Sequence, residues 1–488
     1  MSQRQAAAQP SEAAIIVGGG LGGLMMAIRL ARRHYQVAVY ERRTNVGELS
    51  PSQRSFTVTL SKRGLHALAE IDLREAVLAH TQPLRGRVVH DRDGSTTFVP
   101  YGKQADEQLH AIRRHEMNAL LYGAACRYPN IQFHFQQRLL RLEKADNRLW
   151  FQDERTPDAP PTPVQAPLVI GADGIFSVVR QQMHKGERAD YHQDCLDWGY
   201  KDVIIPAGAN GQHAMAADAL HIWPRGHCTF FAFPIEDGSY AGNFIAPFTL
   251  AERLTTAEAV TALLTADFAD LLAVAPALPT QLATQPMAHF ITTYTAPWFY
   301  QDKIVLLGDA VHGVTPFWGE GMNAAYEDSS VLDRYLAEPG AERAAAFAQY
   351  QAVRKPNTDL LAELAKQNFI ELRDTGGSLR VVARKRIERQ LYQLFPAQWL
   401  PLNIMISHSL MSYRAAVARY EQQQRWARRC GLDLLVWVVA LWLALQRVIH
   451  KGLANEATPV SGHAAWQRLE PFASAEPVAP LPGKGGSA

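Results

Sequence analysis

Cysteine is scarce in this chain. There are four in 488 residues, at Cys126, Cys195, Cys228 and Cys430, with neither the spacing of metal ligands nor the density of a disulfide framework. That excludes a small disulfide-stapled secreted fold and points to a reduced, cytoplasmic setting. Charge of one sign is also lacking: 49 Lys and Arg face 47 Asp and Glu, for a formal net charge of +2. With no basic cluster interleaved with aromatics, nucleic acid is not an expected partner. No internal repeat is visible, and the polar, alanine-rich start Met1–Ser11 has no apolar core and does not read as a signal peptide. The apolar stretch Leu434–Leu445 runs for 12 residues, short of the roughly 20 that span a bilayer. What remains is an ordinary globular balance, 47% hydrophobic and 20% charged, in a chain long enough for two or three domains with large cores.

Three separated segments carry the chemistry. The first is an apolar strand, Ala13–Val17, running into Gly18-Gly19-Gly20-Leu21-Gly22-Gly23. Gly18, Gly20 and Gly23 keep the G-x-G-x-x-G spacing: a tight turn, close approach to a pyrophosphate, and close packing of the next helix on the strand. That helix, from Leu24 to about Arg33, points free N–H groups at the phosphates. A second apolar strand ends at Glu41, 18 residues beyond Gly23, where an acid can accept from both ribose hydroxyls. The same acid disfavours a 2′-phosphate, which argues against NADP in this pocket. The second segment is Leu168-Val169-Ile170-Gly171-Ala172-Asp173-Gly174, followed by Ser177 and Arg180. The third is Ile304–Leu307 with Gly308-Asp309-Ala310. Each is a buried strand stopping at Gly or Gly-Asp, where backbone can approach a ligand; taken alone, Asp173 and Asp309 would read as capping or turn aspartates.

In this order the three motifs resemble those of the FAD-dependent aromatic hydroxylases. The resemblance implies that Asp309 binds the ribityl chain of FAD, and that the segment around Asp173 and Arg180 serves both FAD and a transiently docked NADPH or NADH. It narrows to the kynurenine 3-monooxygenase branch on further strings between about 13 and 375. These include Leu84–His90, Pro100-Tyr101-Gly102, Arg114 with Met117 and Asn118, Gly199-Tyr200-Lys201, Ala219–Pro224 and Pro316–Asn323. By position, the resemblance implies that Arg87, Tyr101 and Asn368 hold a substrate carboxylate, with Asn403, Phe317 and Trp318 also on the substrate. Arg114 would touch the flavin. Leu21, Arg42, Gly321, Met322 and Asn323 join the expected cofactor set. The chemistry agrees, since an arginine fork makes two charge-assisted bonds to a carboxylate. The chain departs from the branch at Thr57, Trp318 and Asn403, where an asparagine, a histidine and a tyrosine are expected. These departures leave the exact substrate open among aminoaryl acids.

The implied reaction is monooxygenation: NAD(P)H reduces FAD, O2 adds at flavin C4a, and the distal oxygen of the hydroperoxide passes to an electron-rich ring. The aniline-type nitrogen of the substrate activates the ring, so no protein base is assigned. Two alternatives stay open, an FAD-dependent reductase of the geranylgeranyl type and a catalytically silent membrane-associated flavoprotein. A halogenase lacks support because no Trp-x-Trp-x-Ile-Pro string is present.

The expected fold class is α/β. A Rossmann-type FAD-binding domain (13–75, 111–185 and 301–375) is interleaved with a β-sheet substrate domain (76–110 and 186–300). Strands are predicted at 86–90, 96–99 and 132–140, a helix over 114–125, a Pro-rich loop over 156–167, and a helix starting near Gly319. Phe230, Phe231, Phe233, Tyr240 and Phe244 are candidate pocket walls. C-terminal helices follow (376–430, with helical sequence from Val381 to about Gln424), then the hydrophobic helix 431–450 and a disordered tail over 451–488. Trp426, Trp437 and Trp442 with flanking Arg425, Arg428, Arg429, Arg447 and Lys451 suit a membrane-surface helix or a marginal anchor. The other cover for that helix is the substrate domain or a homodimer partner.

Overall fold

The computed structural model describes residues 12–45, 57–104, 106–374 and 379–454. The Met1–Ser11 start and positions 455–488 of the expected tail lie outside the described residues, while 451–454, expected in that tail, continue the last helix. The first sheet has six strands in the order Phe299–Tyr300, Ile304–Leu306, Leu168–Gly171, Ala13–Val17, Gln36–Glu41, Ile131–Phe135. Every pairing is parallel except the Phe299–Tyr300 edge. Leu168–Gly171 and Ile304–Leu306 are buried throughout, as strands covered on both faces must be. The register sets Val17 beside Gly171 and Gly171 beside Leu306. The three glycine-bearing strand ends, far apart in sequence, therefore open side by side on one crevice at the carboxyl edge of the sheet.

The second sheet has seven strands in the order Ala288–Ala296, Asp190–Ile205, Tyr240–Pro247, Thr229–Pro234, Ala219–Pro224, Gly86–His90, Thr96–Pro100. Its period of two sorts the candidate aromatic walls. Phe231 and Phe233 line a cavity. Phe230, Tyr240 and Phe244 point to the opposite face, in a core with Val260, Leu263 and Phe268. That back layer is made by helices Ala257–Asp267, Ala269–Val274 and Leu278–Thr284, which a reading of this region as strands misses.

Several boundaries differ from expectation for local reasons. The strand predicted over 132–140 is two, Ile131–Phe135 in the parallel sheet and Gln137–Glu143 in a separate antiparallel sheet. Gln136, at φ 59°, turns the chain between them. The Pro-rich loop contains an edge strand, Thr162–Gln165, paired to Arg148–Asp153; Pro163 is tolerated because an edge need not donate on both sides. The helix expected near Gly319 starts at Gly321, after a short turn at Pro316–Trp318.

The C-terminal region is four helices: Leu379–Leu394, Leu402–Ser407, Tyr413–Arg429 and Leu432–Ala454. The region is helical as expected, with its breaks near Pro396 and Pro401. The last helix docks Val436 and Ala440 on Ala383 and Ile387, and Arg384 reaches Asp433 at 2.6 Å. Among the described residues no helix is long and apolar enough to cross a membrane. A spanning anchor at 431–450 is therefore not supported.

Candidate functional site

The three glycines of the first motif do three different things. Gly18 sits at φ 104°, and a Cβ there would lie 2.3 Å from the Ala172 carbonyl oxygen. No side chain fits between the first and second motifs. A Cβ on Gly23 would fall 2.0 Å from the Gly18 carbonyl oxygen, so the helix Leu21–Arg32 can seat on the turn only through glycine. A Cβ on Gly20 would meet nothing within 4 Å, and Gly20 lines a cavity. This glycine leaves room for something other than protein. As N-cap without a side-chain bond, it also leaves the first N–H groups of the helix available to an anion.

Glu41 is buried at the end of the second strand. Its Oε2 accepts from Gly19 N at 2.8 Å, and its Oε1 accepts from Arg43 N and Nε, both at 2.9 Å. Burial opposes its ionisation, but the hydrogen bonds and charge of Arg43, with the Gly19 amide, hold the carboxyl below its ordinary value. Arg43 thus orients the acid, a role the sequence pattern did not reveal. Arg42 beside it is exposed and does not line the cavity.

The two motif aspartates face different ways. Asp173 accepts from Ser177 Oγ at 2.5 Å, Val178 N at 2.7 Å and Val179 N at 3.1 Å. It caps the helix Val178–His184 rather than lining the cavity, and burial pushes its carboxyl up against those hydrogen bonds. Arg180 is equally committed, donating to the Ala310 carbonyl at 2.7 Å and the Ile175 carbonyl at 2.8 Å. The second and third motifs are thereby tied together. Asp309 lines the cavity and is exposed to it, and its carboxylate has no hydrogen bond or ion pair among the described residues. The loop carrying it is held from behind. Asp328, fully buried, accepts from Gly308 N at 3.2 Å, from Arg354 Nε at 2.7 Å and from His312 Nε2.

The cavity has a volume of about 1340 Å³. That exceeds an ordinary small-ligand pocket and has room for a large cofactor together with a substrate. On the side of the parallel sheet it is lined by Gly20, Leu21, Arg114, Asp309, Gly321 and Met322. Asn323 does not line it: its amide donates to the Thr59 and Gly319 carbonyls and accepts from Ser61 N. It fixes the loop instead. From the second sheet come Arg87, Tyr101, Leu220, Ile222, Phe231 and Phe233. Leu220 and Ile222 are alternate residues of one strand, whose other face sends His221 and Trp223 to His90 and Asp270.

Phe317, Trp318, Asn368 and Asn403 close the same cavity. Asn368 Nδ2 donates to the Phe317 carbonyl at 2.5 Å, Trp318 Nε1 to the Leu364 carbonyl at 2.8 Å, and Asn403 Nδ2 to the Tyr101 carbonyl at 2.9 Å. These three side chains tie remote segments to the rim. Burial pushes the Tyr101 hydroxyl up to about 12, against the opposing charge of Arg87, so it stays a neutral donor. Three further polar atoms on the lining, Thr57 Oγ1, Thr315 Oγ1 and His408 Nδ1, are buried without a hydrogen-bond partner among the described residues. Such atoms are costly unless a ligand satisfies them. A phosphate-bearing flavin with its polar ring edge suits this set: an open glycine, a free helix N-terminus, an unpaired aspartate and orphaned hydroxyls.

A family model described as "FAD binding domain" matches residues 12–364. The chain is 41% identical to a kynurenine 3-monooxygenase of Salinispora arenicola, over 89% of this chain and 97% of that protein. It is 40% identical to the kynurenine 3-monooxygenase of Salinispora tropica, again over 89% and 97%. The chain belongs to the kynurenine 3-monooxygenase family. It is thus an FAD-dependent monooxygenase. Among solved structures, P. aeruginosa PqsL in complex with 2-aminobenzoylacetate aligns with a TM-score of 0.62 at 19% identity, over 75% of this chain and 97% of that one; this shows the shared fold.

Two of the three positions at which this member of the kynurenine 3-monooxygenase family departs from the expected pattern have explicit structural roles. Trp318 spends its only donor on Leu364, leaving its ring as wall, and Asn403 is spent on the Tyr101 backbone. Thr57 keeps its hydroxyl on the lining without a partner among the described residues. His408, buried beside Tyr101 with ring centroids 6.3 Å apart, was not legible as a cavity residue. A lone histidine in a helical stretch carries no signal of where it points.

Proposed function

We propose that the protein hydroxylates kynurenine, or a closely related aminoaryl amino acid, using NADPH and O2. The observation carrying this reading is that one cavity is lined both by Gly20 and Asp309 and by Arg87 and Tyr101. FAD, when bound, supplies the oxygen-activating redox chemistry. The residues do the rest. Arg87 pairs with the substrate carboxylate through its fork, with the Tyr101 hydroxyl as a second donor. Leu220, Ile222, Phe231 and Phe233 give the aryl ring an apolar wall and keep water from it. Arg114 and Asp309 face the cofactor, and the Asn368 and Trp318 bonds hold the intervening loop in place. Orientation of the ring is the main contribution asked of the protein. The test is NADPH oxidation with a panel of aminoaryl acids, kynurenine first, with product identified by mass. NADPH oxidation that no acid stimulates, or a product lacking the added oxygen, would overturn the reading.

We also propose that the last helix rests on a lipid surface without crossing it. Leu434 and Leu441 are 71% and 73% exposed, and Val438 stands beside them on the face turned away from Ala383 and Ile387; Trp437 and Trp442, the latter under Arg386, flank that face. Arginines at 425, 428 and 429 precede this face, a pattern suited to an interfacial helix. Full-length protein should float with anionic vesicles, and Leu434→Ser with Leu441→Ser should abolish flotation while leaving FAD content intact. Equal flotation of both would refute it.

A further inference from the structure

Arg87 stands on the strand Gly86–His90, in register with Val99 and Leu220, both of which share its cavity face. Across the cavity, the helix Leu379–Leu394 presents Arg384, Lys385, Glu388, Arg389, Tyr392 and Gln393 to the same space. Their spacing, pairs of neighbours repeating every four residues, is one helical face. Most of the charge there is already used. Arg384 bonds Asp433 and Gln424, Lys385 pairs with Glu371, and Glu388 accepts from Tyr420 and Gln424. Lys103, also on the lining, donates to the Gln393 carbonyl at 2.9 Å.

Arg87 and Arg389 are different. Among the described residues neither has a hydrogen bond or an ion pair, although both are partly buried. They are also close enough to oppose one another: burial, then the charges of Arg87 and Arg386, hold the Arg389 guanidinium below its ordinary value. Two like charges sharing a partly buried space without a counter-ion among the described residues oppose one another, and an anion between them would relieve this. The walls beside them, Leu220, Ile222, Phe231 and Phe233, suit an aryl group carrying a short acid tail more than a phosphate chain. A planar fork from each side is the geometry that holds a carboxylate.

We propose that Arg389 is a second arginine on the substrate carboxylate, closing against Arg87 from the C-terminal helix and setting specificity for acid-bearing substrates. This rests on the hydroxylase reading of the cavity. It also makes the substrate's own carboxylate the tie between the second sheet and the C-terminal helices, which otherwise meet across the cavity as like charges.

The test uses the full-length FAD-loaded protein with Arg389→Ala and Arg389→Lys. Binding of kynurenine and of its carboxamide is read from perturbation of the flavin absorption spectrum, and KM for kynurenine and for NADPH from turnover. Arg389→Ala should weaken kynurenine by about tenfold or more, leave the carboxamide unchanged and leave FAD content and KM for NADPH as in the wild type. Arg389→Lys should recover part of the loss, because it restores charge without the fork. Because binding is measured apart from turnover, the clamp is judged even if kynurenine is bound but not hydroxylated, an outcome that would sink only the proposed reaction. The clamp itself is overturned by wild-type protein that binds acid no better than amide. It is equally overturned if Arg389→Ala affects acid and amide alike or changes neither, or if the effect falls on KM for NADPH.

Discussion

Glu320 offers the clearest quantitative handle on this structure. It is the N-cap of the helix Gly321–Leu336, yet it makes no capping bond and is only 2% exposed. Its carboxylate has Ser61 Oγ at 3.2 Å and the Tyr413 hydroxyl at 3.3 Å, both long. Burial pushes its carboxyl up to about 7 from an ordinary 4.5, against the charge of Arg63 and the bonds from Ser407, Ser61 and Tyr413. A carboxyl raised on folding binds more protons in the native than in the unfolded state between these two values, so its contribution to stability falls as pH rises from 4.5 to 7 and is flat above. The gap corresponds to about 3 kcal/mol. Glu320→Gln has no proton to lose and keeps an acceptor for the same hydroxyls. Its stability relative to the wild type should be near zero below pH 4.5 and should grow to about 3 kcal/mol in favour of Gln above pH 7. Urea unfolding at a series of pH values, with FAD held at a constant saturating concentration, measures the difference directly. A difference that does not vary with pH, or a Gln variant less stable at pH 8, would show that Arg63 keeps Glu320 ionised and refute the argument.

Three other outcomes are expected. Gly20→Ala should fold with near-normal stability but retain little FAD, because its Cβ meets only open cavity, whereas Gly23→Ala should lose about 1–3 kcal/mol of stability by overpacking; flavin absorbance and unfolding midpoints separate the two. Asp309→Ala should weaken FAD retention by about 1.5–3 kcal/mol, the range for a hydrogen bond to a charged group, measured by fluorescence titration of apoprotein with FAD. Arg87→Ala should weaken kynurenine binding by about 2–5 kcal/mol with normal FAD content, Arg87→Lys should raise KM markedly, and Tyr101→Phe should cost only about 0.5–1.5 kcal/mol. An unchanged KM in Arg87→Ala would remove the carboxylate from the site.

Much of the cofactor half is legible in the amino-acid sequence because its information is local. A strand that ends in glycine at φ 104°, a helix in which the motif's third glycine must clear a carbonyl, and an acid at the next strand end are all specified by neighbours in sequence. Their short-range sterics admit few alternatives. Which way each polar side chain turns is not legible there. Asp173 and Asp309 follow similar Gly-bearing strand ends, yet one caps its helix and the other faces the cavity. The choice depends on whether Ser177 and two free amides lie within reach, a matter of how the next turn folds.

The amino-acid sequence by itself therefore determined the class of fold, the crevice where three glycine-bearing strands end, and the membership in a flavin monooxygenase family. Arg87, Tyr101, Asn368, Asn403, Phe317 and Trp318 are already named from the sequence, whereas tertiary structure decided that Leu220, Ile222, His408 and Arg389 line the same cavity. Arg87 and Arg389 lie some 300 positions apart and share a cavity only because the second sheet and the C-terminal helices pack around the same space. Tertiary structure also decided that Arg43 pins Glu41 and that Trp318 is tied to Leu364. It further settled that the apolar C-terminal helix docks one face on its neighbour. Backbone turns are set by adjacent residues, whereas the direction of a side chain into a shared cavity is set by contacts between elements whose separation along the chain carries no periodic signal.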